Sequence, residues 1–282
     1  MTFYKYQGAG NDFLIADNRD GGIILSENDI RALCDRRYGF GADGLMLLEN
    51  SRRHDFKMVF FNPDGSCGMM CGNGGRCITA FAARIFAERE SNNVKRLFAF
   101  EAADGLHHAE ITEWNETLTR MTVRLGMSDV NGISYIPDEN GYFLDTGARH
   151  FVKFMEAGLE DAEILSEGKR LRHSSLFAPQ GANADFVQPA QDILMVRTYE
   201  KGVEDETYAC GTGIAASAVA AWKAGYLKQG EDGKVRTAIR AKRDMLSVEF
   251  IPGNDGDSAH GIILTGPAVM IGTVSVSEMP LQ

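Results

Sequence analysis

Two cysteines open near-copies of one phrase, Cys71-Gly72-Asn73-Gly74 and Cys210-Gly211-Thr212-Gly213, 139 positions apart in a chain of 282 residues. A run that reads as a buried helix follows each phrase, so each sulfur stands at a predicted helix N-terminus. A free thiol titrates near ~8.5, and the unpaired N–H groups and dipole of a helix start lower that value by stabilising the thiolate. The glycines let the backbone approach a ligand closely, and the first amides of the helix make a cradle for an anion such as a carboxylate. Two such termini pinching one carboxylate would set its α-carbon between a thiolate and a thiol. One sulfur then removes the α-proton and the other returns a proton from the opposite face. The stereocentre inverts while the helix amides stabilise the charge that builds on the carboxylate. That chemistry calls for neither a metal nor an organic cofactor.

Other uses of cysteine fit less well. Cys34, Cys67 and Cys77 stand outside any repeated phrase and read as small hydrophobes. A zinc site wants closely paired ligands with a second pair downstream, whereas Cys67, Cys71 and Cys77 have gaps of three and five residues and no neighbouring histidine. A cysteine protease needs a partnering histidine, and His107, His108, His150, His173 and His260 lie in no such phrase. Five cysteines is an odd number and no disulfide framework is visible, so reduced thiols are expected. A ligand-binding or thiol redox protein is the alternative from another class; a redox role predicts a reversible Cys71–Cys210 disulfide as the main activity.

The elements that must position the two sulfurs are legible from periodicity. Ser26-Glu27-Asn28-Asp29 ahead of Ile30, Leu33 and Cys34 reads as a capping-box start to a helix ending near Gly39. Lys57 to Phe61 reads as a strand stopped by the turn Asn62-Pro63-Asp64-Gly65. From Arg76 to Ala87 the chain is apolar almost all round, which predicts a helix enclosed by other elements. Its twin from Ile214 to Ala224 is alanine-rich, with Gly225 as its cap. Alternating runs at Arg120 to Leu125, Ile193 to Thr198, Val235 to Ala241 and Met245 to Phe250 predict strands. The fold class expected is therefore α/β (α+β): two pseudo-symmetric halves, each a mostly antiparallel barrel or sheet wrapped around a central buried helix, with the active site in the cleft between them.

Bulk properties exclude other classes. Hydrophobic residues make up 44% of the chain, and no segment approaches the ~20 apolar residues that span a bilayer. A formal charge of −10 without a basic stripe argues against nucleic acid as a partner. The N-terminus lacks a charged region followed by an apolar stretch, so a cytoplasmic setting is expected.

The phrases together resemble the diaminopimelate epimerase family nearly end to end. The match runs from Gly8-Ala9-Gly10-Asn11-Asp12-Phe13 through Gly41-Ala42-Asp43-Gly44 and Asn62-Pro63-Asp64-Gly65-Ser66 to Met70-Cys71-Gly72-Asn73-Gly74-Gly75-Arg76-Cys77. It continues with Gly181-Ala182-Asn183, Tyr199-Glu200-Lys201-Gly202 and Glu206-Thr207-Tyr208-Ala209-Cys210-Gly211-Thr212-Gly213. The resemblance implies cofactor-independent interconversion of LL- and meso-diaminopimelate on the way to lysine, and a homodimer. It further implies that Cys71 and Cys210 are the acid and base, and that Gly72, Asn73, Gly211 and Thr212 hold the reacting carboxylate through backbone amides. Asn11, Asn62, Asn183, Glu200 and Lys201 would bind the far end of the substrate. Residues 1–125 are expected to form the half carrying Cys71, with the segment 267–282 packing back on it, and 126–266 the half carrying Cys210.

Two departures fall at the specificity end. Where the family has Glu-Arg this chain has Glu200-Lys201, and a lysine cannot give the two-pronged grip of a guanidinium. Where the family reads Gly-Asn-Pro-His this chain reads Gly147-Ala148-Arg149-His150. One expectation is that Arg149 turns inward and partly replaces the missing fork, with a surface arginine as the equal alternative; another is that the substrate is a different amino acid on the same scaffold. Oxidation should inactivate such an enzyme, because sulfurs that share a small substrate can be bridged after modest closure.

Overall fold

The computed structural model describes residues 1–89 and 94–277. The chain divides into two compact units, Met1–Leu125 with the chain from Gly266 onward, and Gly126–Thr265. In the first, the strands β1 (Thr2–Gly8) and β2 (Asn11–Asp17) lead to helix α1 (Glu27–Cys34), then β3 (Gly44–Glu49), β4 (Phe56–Phe61), helix α2 (Gly72–Arg89), β5 (Leu97–Ala102), β6 (Gly105–Trp114) and β7 (Arg120–Gly126). Each strand pairs with the next, and the far part of the last strand, Ala259–Ser275, pairs with both β7 and β1. An eight-stranded barrel closes in this way around α2. Phe81 of α2 packs between the rings of Tyr4 and Tyr6, with centroids 4.9 and 6.1 Å away. A Cβ on Gly8 would stand 3.1 Å from both the Asn73 carbonyl and Cys77 Sγ, so glycine there lets the strand lie close on the helix. Because strands surround it, α2 buries residues on every side from Cys77 to Ala83, which accounts for its lack of a polar face.

The second unit runs β8 (Ile133–Ile136), β9 (Gly141–Asp145), β10 (Arg149–Phe154), helix α3 (Ile164–Arg172), β11 (Asn183–Ala190), β12 (Ile193–Glu200), the short β13 (Asp205–Thr207), helix α4 (Gly211–Lys223), β14 (Val235–Arg240), β15 (Met245–Pro252) and the near part of β16 (Ala259–Ser275). Its connections repeat those of the first unit. In each, an antiparallel pair is followed by a parallel pair bridged by an outer helix, then an antiparallel pair, then a parallel pair bridged by the inner helix, then two antiparallel steps. The inner helix is α2 in one unit and α4 in the other, and each is the helix headed by a cysteine. Outer helix α1 covers Phe3, Leu14, Leu45 and Leu47 of its own unit, and α3 lies against Phe151, Phe177, Phe186 and Tyr199 of its own.

The helix limits differ in small ways from those read in the sequence. Ser26 caps α1 and exchanges hydrogen bonds with Asp29, as a capping box requires, but the helix stops at Cys34 instead of running toward Gly39. The Asp35 carboxylate takes the backbone N–H groups of Arg37 and Tyr38 and turns the chain there. Helices α2 and α4 begin at Gly72 and Gly211, ahead of their apolar runs.

Candidate active site

Both cysteines occupy the same position relative to their helices. The Cys71 carbonyl accepts from the Gly75 N–H at 2.7 Å and the Cys210 carbonyl from the Ile214 N–H at 2.8 Å, so each cysteine is the residue that starts its helix. Gly72, Asn73, Gly211 and Thr212 then form the first turns, whose amides have no partner inside the helix.

In the first unit, a polar chain runs beside Cys71. The fully buried Arg76 guanidinium donates to Asn73 Oδ1 at 2.9 Å, and Asn73 Nδ2 donates to Asn11 Oδ1 at 2.6 Å. Asn11 Nδ2 in turn donates to Asp43 Oδ2 at 3.0 Å, and the Arg36 guanidinium bonds the other oxygen of Asp43. Asn11 and Asn73, 62 positions apart, are thus joined side chain to side chain, although the resemblance implied opposite ends of the substrate for them. Asn62 lies past the end of β4, where its backbone N–H donates to the Ser66 carbonyl and its side-chain amide to Ser66 Oγ. Those bonds make it the anchor of the turn that precedes Cys71.

In the second unit, β10, β11 and the first turn of α4 meet at a buried cluster. His150 Nδ1 lies 2.6 Å from Asp185 Oδ2, and neither side chain is exposed to solvent. Thr198, paired with Asp185 across β11 and β12, donates its hydroxyl to the remaining oxygen at 2.7 Å. His150 Nε2 stands 2.9 Å from Thr212 Oγ1, and that oxygen stands 3.3 Å from Cys210 Sγ. Asn183 sits beside His150 across the parallel pair; its oxygen accepts the Lys201 N–H at 2.7 Å and its nitrogen donates to the Arg149 carbonyl. Glu200 ends β12 and acts on Cys210 through its charge, whereas the Lys201 side chain is exposed. Close approach of α4 to this cluster needs Gly213, because a Cβ there would overlap Asp185 Oδ1 and stand 3.2 Å from His150 Cε1.

Two expectations are corrected. A helix N-terminus was expected to hold the Cys210 thiol down, but burial pushes it well above its ordinary value, and the negative charges of Glu200 and Asp185 push it further. The Thr212 hydroxyl and the Gly213 N–H oppose that rise and are outweighed. Of the two placements expected for Arg149, turned inward or on the surface, the inward one is not seen. The Arg149 guanidinium lies over the Phe143 ring, 4.9 Å from the centroid, and donates to the Phe177 carbonyl and to Gln180 Oε1. Successive residues of a strand face opposite ways, and on β10 it is His150 that reaches Asp185 and Thr212.

His150 and Asp185 were not singled out as site residues by sequence reasoning. A signal was present: Asp185 follows Asn183 by two positions on one strand, which puts both side chains on one face.

A strand-wrapped inner helix headed by a cysteine, present once in each unit, defines the class of fold to which this chain belongs. A solved structure described as a probable proline racemase from Agrobacterium radiobacter K84 shares that fold at a TM-score of 0.70 and 16% identity, over 100% of this chain and 94% of the other. A family model described as diaminopimelate epimerase matches residues 3–127. A diaminopimelate epimerase of Flavobacterium psychrophilum is 42% identical over 274 residues, 96% of this chain and 98% of the relative. One of Chlorobaculum tepidum is 38% identical over 95% of this chain and 99% of its own length. The chain belongs to the diaminopimelate epimerase family.

Proposed function

We propose that this protein is an isomerase that converts LL-diaminopimelate to meso-diaminopimelate by two-thiol inversion of the α-carbon, on the way to lysine. The observation that carries the reading is the duplicated inner helix with its cysteine at the head, together with relatives of that name at full length. Cys71 and Cys210 serve as acid and base, each taking or giving the α-proton on its own face. The first amides of α2 and α4, at Gly72, Asn73, Gly211 and Thr212, receive the charge that grows on the reacting carboxylate. Asn11, Asn62, Asn183, Glu200 and Lys201 are assigned to the far end of the substrate. The two compact units are, in this reading, the two halves that each deliver one sulfur.

Among the described residues no helix is long and apolar enough to cross a membrane. A cytoplasmic setting suits five free thiols, because that compartment keeps thiols reduced. The working form is a homodimer, which light scattering of the purified protein checks.

Deuterium incorporation at the α-carbon of diaminopimelate in heavy water tests the assignment. The parent protein should exchange and epimerise, and Cys71→Ala and Cys210→Ala should each abolish epimerisation. Full turnover in either variant overturns the two-thiol reading. Ala148 and Lys201 favour a second reading, a racemase of another amino acid on this scaffold, since both replace groups that grip the far carboxylate in the resemblance. Exchange measured across a panel of amino acids separates the two: a higher kcat/KM for an amino acid other than diaminopimelate establishes the second.

A further inference from the structure

Gly41-Ala42-Asp43-Gly44 is one of the phrases that carry the resemblance, yet it supplies none of the residues assigned to the substrate. Its carboxylate ends a line of side-chain hydrogen bonds that starts inside the first barrel. The Arg76 guanidinium donates to Asn73 Oδ1 at 2.9 Å, Asn73 Nδ2 donates to Asn11 Oδ1 at 2.6 Å, and Asn11 Nδ2 donates to Asp43 Oδ2 at 3.0 Å. A guanidinium can only donate, so the Asn73 atom that faces it is the oxygen. An ionised carboxylate can only accept, so the Asn11 atom that faces Asp43 is the nitrogen. Both ends thus dictate the same orientation for the two amides. Turning either amide round would set like atoms against each other at two of the three contacts.

The backbone holds the acceptor where Asn11 needs it. Strands β2 and β3 pair in parallel with Phe13 opposite Gly44, and the Asp43 N–H donates to the Asp12 carbonyl at 2.8 Å. The carboxylate oxygen that meets Asn11 also accepts the Asp12 N–H, at 3.2 Å. The other oxygen faces the Arg36 guanidinium, which bonds the Asp12 carboxylate as well. Asp43 therefore has two separate contacts, one toward Asn11 and one toward an exposed arginine. We propose that Asp43 is a positioning residue of the epimerase: its Oδ2 fixes which way the Asn11 amide faces, and so presents Asn11 to the substrate with one N–H and one oxygen lone pair still to offer. The proposal rests on the assignment of Asn11 to the far end of diaminopimelate. When the acceptor is lost, only the bond from Asn73 still holds Asn11, and the freed side chain must be ordered again each time substrate binds. That cost falls on binding and not on the chemical step, because Asn11 is assigned to the unreacting end.

Variants at the two contacts of Asp43 test the assignment. Asp43→Ala should raise KM for diaminopimelate about 3- to 10-fold, the cost of ordering one side chain, and leave kcat within about twofold. Asp43→Asn keeps an oxygen toward Asn11 and gives up only the Arg36 pair, so it should bring KM back to within about twofold of the parent. Arg36→Met should change KM as little, because an exposed ion pair contributes little. A role confined to that ion pair predicts the reverse: Asp43→Asn and Arg36→Met would then be as harmful as Asp43→Ala, and that pattern overturns the proposal. Proton NMR reads the same bond without substrate. The side-chain amide of Asn11, recognised by its loss in Asn11→Ala, should exchange with solvent faster in Asp43→Ala and at the parent rate in Asp43→Asn. Equal exchange in Asp43→Ala and the parent overturns the proposal as well. Should Asp43→Ala fail to fold, Asp43→Ser, whose hydroxyl stops short of Asn11, takes its place in both measurements. If the parent fails to turn over diaminopimelate, the proposed substrate falls, and the amide exchange rate still decides what Asp43 does.

Discussion

Gly213 is the residue at which the helix bearing one sulfur touches the buried pair behind it. Gly213→Ala should therefore lower stability by about 1–3 kcal/mol, as overpacking does, and lower kcat by displacing His150 from Thr212. Chemical denaturation and a steady-state assay check the two effects together; unchanged values for both would mean that α4 can lift without loss. The cysteines themselves were legible in the sequence, because a repeated phrase of unusual composition needs no third dimension to be seen. Asn73 stood in the repeated phrase, but Asn11 came only through the resemblance, since a residue that begins a strand and one that begins a helix share no spacing rule. His150 and Asp185 stayed hidden for a similar reason: their partnership is made by a parallel pairing of β10 and β11. The direction in which the Cys210 thiol moves was hidden as well, since helix dipole and burial act oppositely and only the packed structure says which is larger.

At the scale of elements, α4 shows how a helix is fitted to the strands packed around it. Its alanines from Ala215 to Ala221 are buried on every side, so strand and helix backbones approach closely. Ala218→Leu should cost about 1–3 kcal/mol for that reason, read as a shift of the denaturation midpoint. Ser217 lies in the same helix with a buried hydroxyl that has no partner among the described residues. Ser217→Ala should leave stability unchanged or raise it, by up to about 1 kcal/mol, and a loss instead would show that the hydroxyl is satisfied in solution. The bodies of α2 and α4 were read correctly because a helix that is apolar all round must be covered on every side to stay out of water. Their starts, directly after Cys71 and Cys210, were marked by the cysteine phrases and not by the apolar runs, since Gly72-Asn73-Gly74-Gly75 has poor helix propensity and is held helical by the surrounding barrel.

At the scale of the whole molecule, buried thiols set a limit on the alkaline side. Burial pushes Cys34 to about 11 and Cys77 to about 12. A group raised in the folded state contributes stability that is intact below its unfolded value, near ~8.5, and is lost as pH climbs through the folded one. Melting temperature should accordingly fall between about pH 9 and 11, each thiol weakening the fold by up to about 1.4 kcal/mol per pH unit. Cys34→Ala should flatten that slope in a thermal-shift series, and an unaltered slope would assign the loss to other groups. The fold class was legible because helices without a polar face demand a strand wrapping. The return of the segment 267–282 to the first half was expected as well, but not the register in which it meets β1, with Thr2 opposite Ser275.

That meeting has a consequence for synthesis. Residues 126–265 form a continuous stretch, whereas the barrel around Cys71 lacks its final stave until residues 266–275 have been made. Until then the edges of β1 and β7 are open to any passing strand, the hazard that exposed sheet edges carry. A nascent chain stalled near residue 250 should engage chaperones through residues 1–125, and release should come once residues 266–275 have left the exit tunnel.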